Sequence, residues 1–116
     1  MFVIDENQNI ILTRGDSALF SVTLRMDGEV YEMQEGDRID FGIKADYDDS
    51  ECLVHKTSDT NPAVFQLNPE DTSELEFGGH YYDVQFVNAE GFTQTFIVKK
   101  KFKIDKEVTV PNGIDG

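Results

Sequence analysis

Ser17-Ala18-Leu19-Phe20-Ser21-Val22-Thr23-Leu24-Arg25 alternates with a period of two. Ala18, Phe20, Val22 and Leu24 fall on one side, while Ser17, Ser21, Thr23 and Arg25 fall on the other. Only Leu19 departs from the polar side. An extended chain points successive side chains to opposite faces, so this stretch reads as a half-buried β-strand and not as a helix. The same period returns in Arg38–Ala45, with Ile39, Phe41, Ile43 and Ala45 inward and Arg38, Asp40 and Lys44 outward. Ala63, Phe65 and Leu67 repeat it, as do Tyr82, Val84 and Phe86, and then Phe92, Phe96 and Val98 followed by Phe102 and Ile104. A shorter β-rich run, Ile10–Thr13, precedes Ser17, and another strand is expected around Cys52–Lys56.

The punctuation between these runs is that of an all-β chain. Asp27-Gly28 suits a type I′ hairpin turn, because both residues tolerate positive φ. Gln34–Asp37, Ser58–Pro62 and Asn88–Gly91 supply further turns, and a bulge is expected at Lys100-Lys101. Asn68-Pro69-Glu70-Asp71 is the one helix start: Asn caps, Pro fits the first position, and acids suit the positive end of the dipole. A single helical turn over Asn68–Leu75 is expected, stopped by Gly78-Gly79. Seven or eight short strands with turns at this spacing predict an antiparallel β-sandwich, with a small β-barrel as the alternative. The 116 residues suit one domain, expected over 1–107, with 108–116 as a C-terminal tail or linker.

Charge bounds the partners. Ten basic residues stand against 23 acids, for a net of −13. Residues 1–95 hold five bases and 20 acids, whereas residues 96–116 hold five lysines and three acids. A field of this sign repels nucleic-acid backbones and anionic lipid, so neither is an expected partner. Cys52 is the single cysteine, which excludes an internal disulfide. The N-terminus has no basic segment leading into an apolar run, and no apolar stretch approaches the roughly 20 residues of a membrane span. A soluble protein made inside the cell is the expectation.

Candidate chemistry is sparse. Arg14-Gly15-Asp16 is the integrin tripeptide, but it sits at a strand junction and reads as a turn. Asp46, Asp48, Asp49 and Glu51 crowd a loop that offers oxygens to calcium, without the spacing or the glycine of an EF-hand. His55 and His80 lie far apart with no partners at zinc-ligand spacing. Cys52 is expected on a strand as a buried or half-buried structural thiol. Lys99, Lys101 and Lys103 share a strand face, which reads either as edge protection or as a surface that docks on an acidic neighbour. No catalytic, cofactor or metal residue is assigned, and no enzyme is expected.

The order of motifs adds a resemblance. Ile11-Leu12-Thr13-Arg14-Gly15-Asp16-Ser17 through Leu24, then Leu67-Asn68-Pro69-Glu70-Asp71-Thr72, then Gly79-His80-Tyr81-Tyr82-Asp83-Val84-Gln85 and a final Phe102-Lys103-Ile104 strand resemble the immunoglobulin-like modules of phage tail and baseplate proteins. These modules include the N-terminal domain of upper baseplate proteins. The lysine-rich stretch before the last strand departs from that pattern. The resemblance implies an immunoglobulin-like sandwich and a non-enzymatic part of a phage or prophage particle (tail, baseplate or neck). It would be made in the bacterial cytoplasm and act through contacts with other virion proteins or copies of itself. The alternative function is a carbohydrate- or cell-surface-binding module, with Tyr31, Tyr47 and Tyr81 as a stacking platform.

Overall fold

The alternation of Phe41, Tyr82 and Phe102 is what the fold buries. In the computed structural model, which describes residues 2–46 and 48–106 (the Val98 side chain excepted), these rings meet at one core. Strands run over Phe2–Ile4 (β1), Ile10–Thr13 (β2), Ala18–Val22 (β3), Arg25–Met26 (β4), Glu29–Val30 (β5), Arg38–Lys44 (β6), Val54–Ser58 (β7), Ala63–Leu67 (β8), Gly78–Val87 (β9) and Thr93–Asp105 (β10), with a one-turn helix at Pro69–Thr72 (α1). Six strands form a curled sheet in the order β1-β2-β10-β9-β6-β7. β3 and β8 form a separate ribbon, and β4 and β5 a small hairpin.

The mostly-β expectation holds, but the sheet is mixed and not antiparallel throughout. β10 runs antiparallel to β9 and parallel to β2, with Phe102 opposite Ile10 and Ile104 opposite Leu12. Nearly the whole domain separates β2 from β10, so no tight turn dictates their relative direction. Alternation marks which face is buried and carries no information on strand direction.

The core forms where the ribbon faces the sheet. Phe41 of β6 lies 5.3 Å from Phe20 of β3, 5.6 Å from Phe65 of β8 and 5.4 Å from Tyr82 of β9, ring centre to ring centre. Ile10, Leu12, Ile39, Ile43, Val84, Phe102 and Ile104 complete it from the sheet side. Tyr82 is buried, and its hydroxyl donates to the Gln8 carbonyl in the β1–β2 loop. Burial pushes the Tyr82 phenol up to about 12, so the donor form persists well into alkaline pH.

Local signals and tertiary contacts part company at several places. The predicted strand Ser17–Arg25 breaks after Val22, although its alternation survives: Ala18, Phe20 and Leu24 are buried and Leu19, Ser21 and Thr23 exposed. Asn61 sits at the break. Its side chain accepts the Leu24 N–H at 2.9 Å and donates to the Leu24 and Tyr31 carbonyls at 2.9 and 2.6 Å, beside the Tyr31 N–H that the Leu24 carbonyl accepts at 3.0 Å. Asp27 and Gly28 both take positive φ, 53° and 83°, as the predicted hairpin turn requires. The helix is shorter than predicted, and the Asp71 carboxylate closes its start by accepting the Asn68 N–H at 2.7 Å. Gly78-Gly79 opens β9 and is not merely a helix stop. Register shifts between Thr95 and Ile97 and between Ile97 and Lys100 place the irregularities of β10 just before the predicted bulge. Phe92 and Ala45, expected inward, are exposed, because the chain has left the sheet at both positions. The expected tail 108–116 lies outside the described residues.

Candidate interaction surface

The outer face of the curled sheet, turned away from the core, gathers most of the residues singled out for chemistry. It begins with β6, where Asp40 and Gly42 alternate with the core residues Ile39, Phe41 and Ile43. Asp40 was expected at the surface and is instead only 4% exposed. The Arg38 and Thr57 side chains close over it from its own strand and from β7. A buried carboxylate needs partners, and Asp40 has them. Its oxygens accept the Arg38 Nε–H at 3.0 and 3.2 Å and the Thr57 hydroxyl at 2.8 Å. His55 Nε2 stands 3.7 Å away.

Gly42 lies opposite His55 on β7 and Asp83 on β9. The loop after β6 folds back over this point, held by a Leu53 N–H donated to the Ile43 carbonyl at 2.7 Å. A Cβ built on Gly42 would come within 2.6 Å of Cys52 Sγ. A Cβ here would displace only the Cys52 thiol, since the next atoms stand 3.7 and 3.9 Å away. Cys52 is not on a strand and is exposed, contrary to the expectation of a half-buried strand residue; β7 starts only at Val54. Desolvation pushes its thiol up, the Asp83 and Asp40 carboxylates push it further, and Lys44 offsets only part. A reactive thiol needs the opposite environment. Burial likewise raises Asp83, with Lys44 pulling it back.

Gly42→Ala is expected to cost about 1 kcal/mol, the low end for overpacking, because the overlapping atom is the end of an exposed side chain. Adding Cys52→Ala should restore most of the loss. Urea unfolding of the two single variants and the double variant measures it; an unchanged midpoint for Gly42→Ala alone would show that the loop does not rest on the glycine.

The other candidates disperse. Arg14 sets its guanidinium 4.1 Å over the Phe77 ring, and its N–H bonds the Asp105 carbonyl at 2.9 Å, so the tripeptide is packed against the body. The acidic loop bonds to itself, with the Asp46 N–H on the Asp49 carboxylate at 3.1 Å and the Asp49 N–H on the Asp46 carbonyl at 3.0 Å. Among the described residues, no group of three or more His, Cys, Asp or Glu side chains is set to hold a metal ion. His80 is buried in β9 beside the Gly78 carbonyl, on its own, while His55 joins Asp40. Tyr31 is no platform: its ring meets Phe86 edge-on at 5.3 Å, and its hydroxyl donates to Asp37 at 2.7 Å. Tyr81 is half-buried on the outer face, and Tyr47 lies outside the described residues.

The lysines do not mark a sheet edge. β10 is an inner strand, between β2 and β9 where Lys103 sits, and Lys101 and Lys103 are exposed on the outer face. Sequence reasoning missed Asp40, Gly42 and Asp83 as members of one face. The adjacent Gly in an alternating strand was the available signal, since a glycine inside a strand often marks a close approach.

Comparison with protein families, characterised proteins and solved structures gave no match. No helix among the described residues is long and apolar enough to cross a membrane.

Proposed function

We propose that this chain is an immunoglobulin-like, non-enzymatic structural module of a phage or prophage particle, in the tail, baseplate or neck, working through protein–protein contacts. The observation that carries the reading is the strand order. The late hairpin β9–β10 lies beside β6 and β7 in one sheet, and β3 pairs with β8 across the core. An immunoglobulin sandwich places its strands in this way, with the second and fifth strands facing the third, sixth and seventh. This order supports the resemblance carried by Ile11–Leu24, Leu67–Thr72 and Gly79–Gln85. Tyr82 adds to it as a buried late-strand tyrosine that bonds to backbone, although it reaches the first loop and not a nearby corner. Function does not follow from fold alone, so the assignment to a particle rests on the motif order.

The carbohydrate alternative loses its strongest support, because the Tyr31 ring is packed away. Sedimentation of the purified chain with phage tail assemblies tests the proposal. Co-sedimentation and labelling at a fixed place on the tail are expected; a chain that stays in the supernatant with every tail preparation from its own host's phages overturns it.

A further inference from the structure

We propose that Phe92, at the tip of the β9–β10 hairpin, inserts its ring into the cleft beside β1 and β3 of a second copy, so that copies of this chain join head to tail. The inference rests on the reading of the chain as a protein-contact module and names the contact and its occupant.

The knob is built by its turn. Phe92 is 60% exposed, yet its backbone is fixed on both sides. The Asn88 carboxamide oxygen accepts the Phe92 N–H at 2.9 Å, and the Phe92 carbonyl accepts the Asn88 N–H at 3.0 Å. The same carboxamide oxygen accepts the Glu90 N–H at 3.0 Å, and Gly91 takes the positive φ of 87° that closes the turn. An aromatic ring held out in water on an ordered turn loses little backbone freedom on binding, which is what a preorganised anchor needs.

The cleft opens between the six-stranded sheet and the ribbon. The buried residues Ile10, Phe20 and Tyr82 line its depth, and the half-buried Val22 and Ile97 and the 44% exposed Ile4 line its mouth. An apolar cavity of about 150 Å³ takes a benzene ring, so the cleft's volume of about 160 Å³ accommodates one phenyl side chain. The Tyr82 hydroxyl already donates to the Gln8 carbonyl, so an entering ring leaves it no unmet donor. The remaining polar side chains of the lining, Gln8, Ser21 and Thr23, are exposed and keep their water.

Charge decides where two copies can touch. At a net charge of −13 each, they repel across any broad acidic face. The knob and the cleft avoid that cost. Gly91-Phe92-Thr93-Gln94-Thr95 holds no charged residue, and neither does the lining of the cleft. Phe92 is not part of that lining, so knob and cleft are separate patches of one surface. Each copy therefore gives its ring to one neighbour and its cleft to another. A contact of this heterologous kind closes into rings or runs on as filaments.

Nitrogen-15 amide spectra of the full chain, at concentrations reaching about 1 mM, read a dissociation constant of that order. In the wild type the amides of Gly91, Phe92 and Thr93 and those of Ser21, Thr23 and Ile97 are expected to shift together as concentration rises. Phe92→Ser and Ile4→Lys should each weaken the association at least about tenfold. Both positions are exposed, so both variants should keep the wild-type circular dichroism and urea midpoint. Neither adds negative charge, so added repulsion does not account for the loss. Thr23→Trp, at a second exposed position, should act as Ile4→Lys does by filling the mouth. Labelled Phe92→Ser mixed with unlabelled Ile4→Lys should shift at the cleft amides alone, and with the label exchanged at the tip amides alone. A wild type without concentration-dependent shifts, shifts confined to other residues, variants that associate like the wild type, or a silent mixture would each overturn the proposal. A chain that shows no self-association yet sediments with tails would overturn this inference alone; one that associates through Phe92 but ignores tails would overturn the particle reading alone.

Discussion

Phe41→Ala is expected to lower stability by about 3–5 kcal/mol, the range for deleting a buried ring from a close-packed core. Phe41 is fully buried and is the ring that both layers share. It contacts Phe20 and Phe65 from the ribbon and Tyr82 and Phe102 from the sheet, at 5.3 to 6.4 Å between ring centres. The ribbon shares no backbone ladder with the six-stranded sheet, so side-chain packing is what holds the two together. Removing the central ring removes contacts from four neighbours at once, and a strand residue flanked on both sides has little freedom to collapse into the gap. At the lower end of the usual stability of about 5–15 kcal/mol, such a loss brings a domain close to unfolding at room temperature. Urea denaturation followed by circular dichroism measures the loss. Phe41→Leu, which keeps most of the volume, should cost less than about 2 kcal/mol. Equal losses for the two variants would show that the ring packing is not what joins the layers.

Asn61→Ala is expected to cost about 2–4 kcal/mol, a large effect for a residue in a turn. Three long-range hydrogen bonds leave from one side chain, to the Leu24 N–H, the Leu24 carbonyl and the Tyr31 carbonyl. Each net bond is worth about 1 kcal/mol, and a part-buried group left without a partner costs about 1–3 kcal/mol. The Leu24 carbonyl also accepts the Tyr31 N–H at 3.0 Å, so the Leu24 N–H is the group that Asn61→Ala leaves without its partner. Asn61→Asp keeps the acceptor for the Leu24 N–H and loses both donated bonds, so it should fall between the wild type and Asn61→Ala. Hydrogen exchange gives a local readout: the Leu24 amide should lose protection in Asn61→Ala and retain part of it in Asn61→Asp. A protected Leu24 amide in Asn61→Ala would show that another group supports this break in the strand.

The acid side of stability follows from two carboxylates. Burial raises the Asp71 carboxyl, but the Asn68 N–H and the Lys56 ammonium at 3.0 Å outweigh it and leave it below its usual value. The Asn9 N–H, opposed by slight desolvation and helped by the Asn7 N–H, lowers Asp5 in the same way. Both groups bind protons less readily folded than unfolded, so their contributions are present above the ordinary carboxylate value and fade as pH falls through the lowered ones. Asp83 has the opposite sign: its raised carboxyl costs stability once pH passes above the folded value.

By itself the sequence determined which residues face inward along most strands. Alternation is a property of the extended chain, and burying one face of a strand needs no knowledge of its neighbours. It also determined the Asp27-Gly28 turn and the Asn68-Pro69 helix start, because φ limits and capping act within a few residues. Only the tertiary structure decided that β2 and β10 run parallel, that Asn61 sits at the break in the long strand, and that Asp40 is covered. It also decided that Cys52 lies over Gly42. Each of these depends on which distant segment lies alongside. Residues 24 and 61, or 10 and 102, meet through packing of the whole chain, and no local pattern records their meeting.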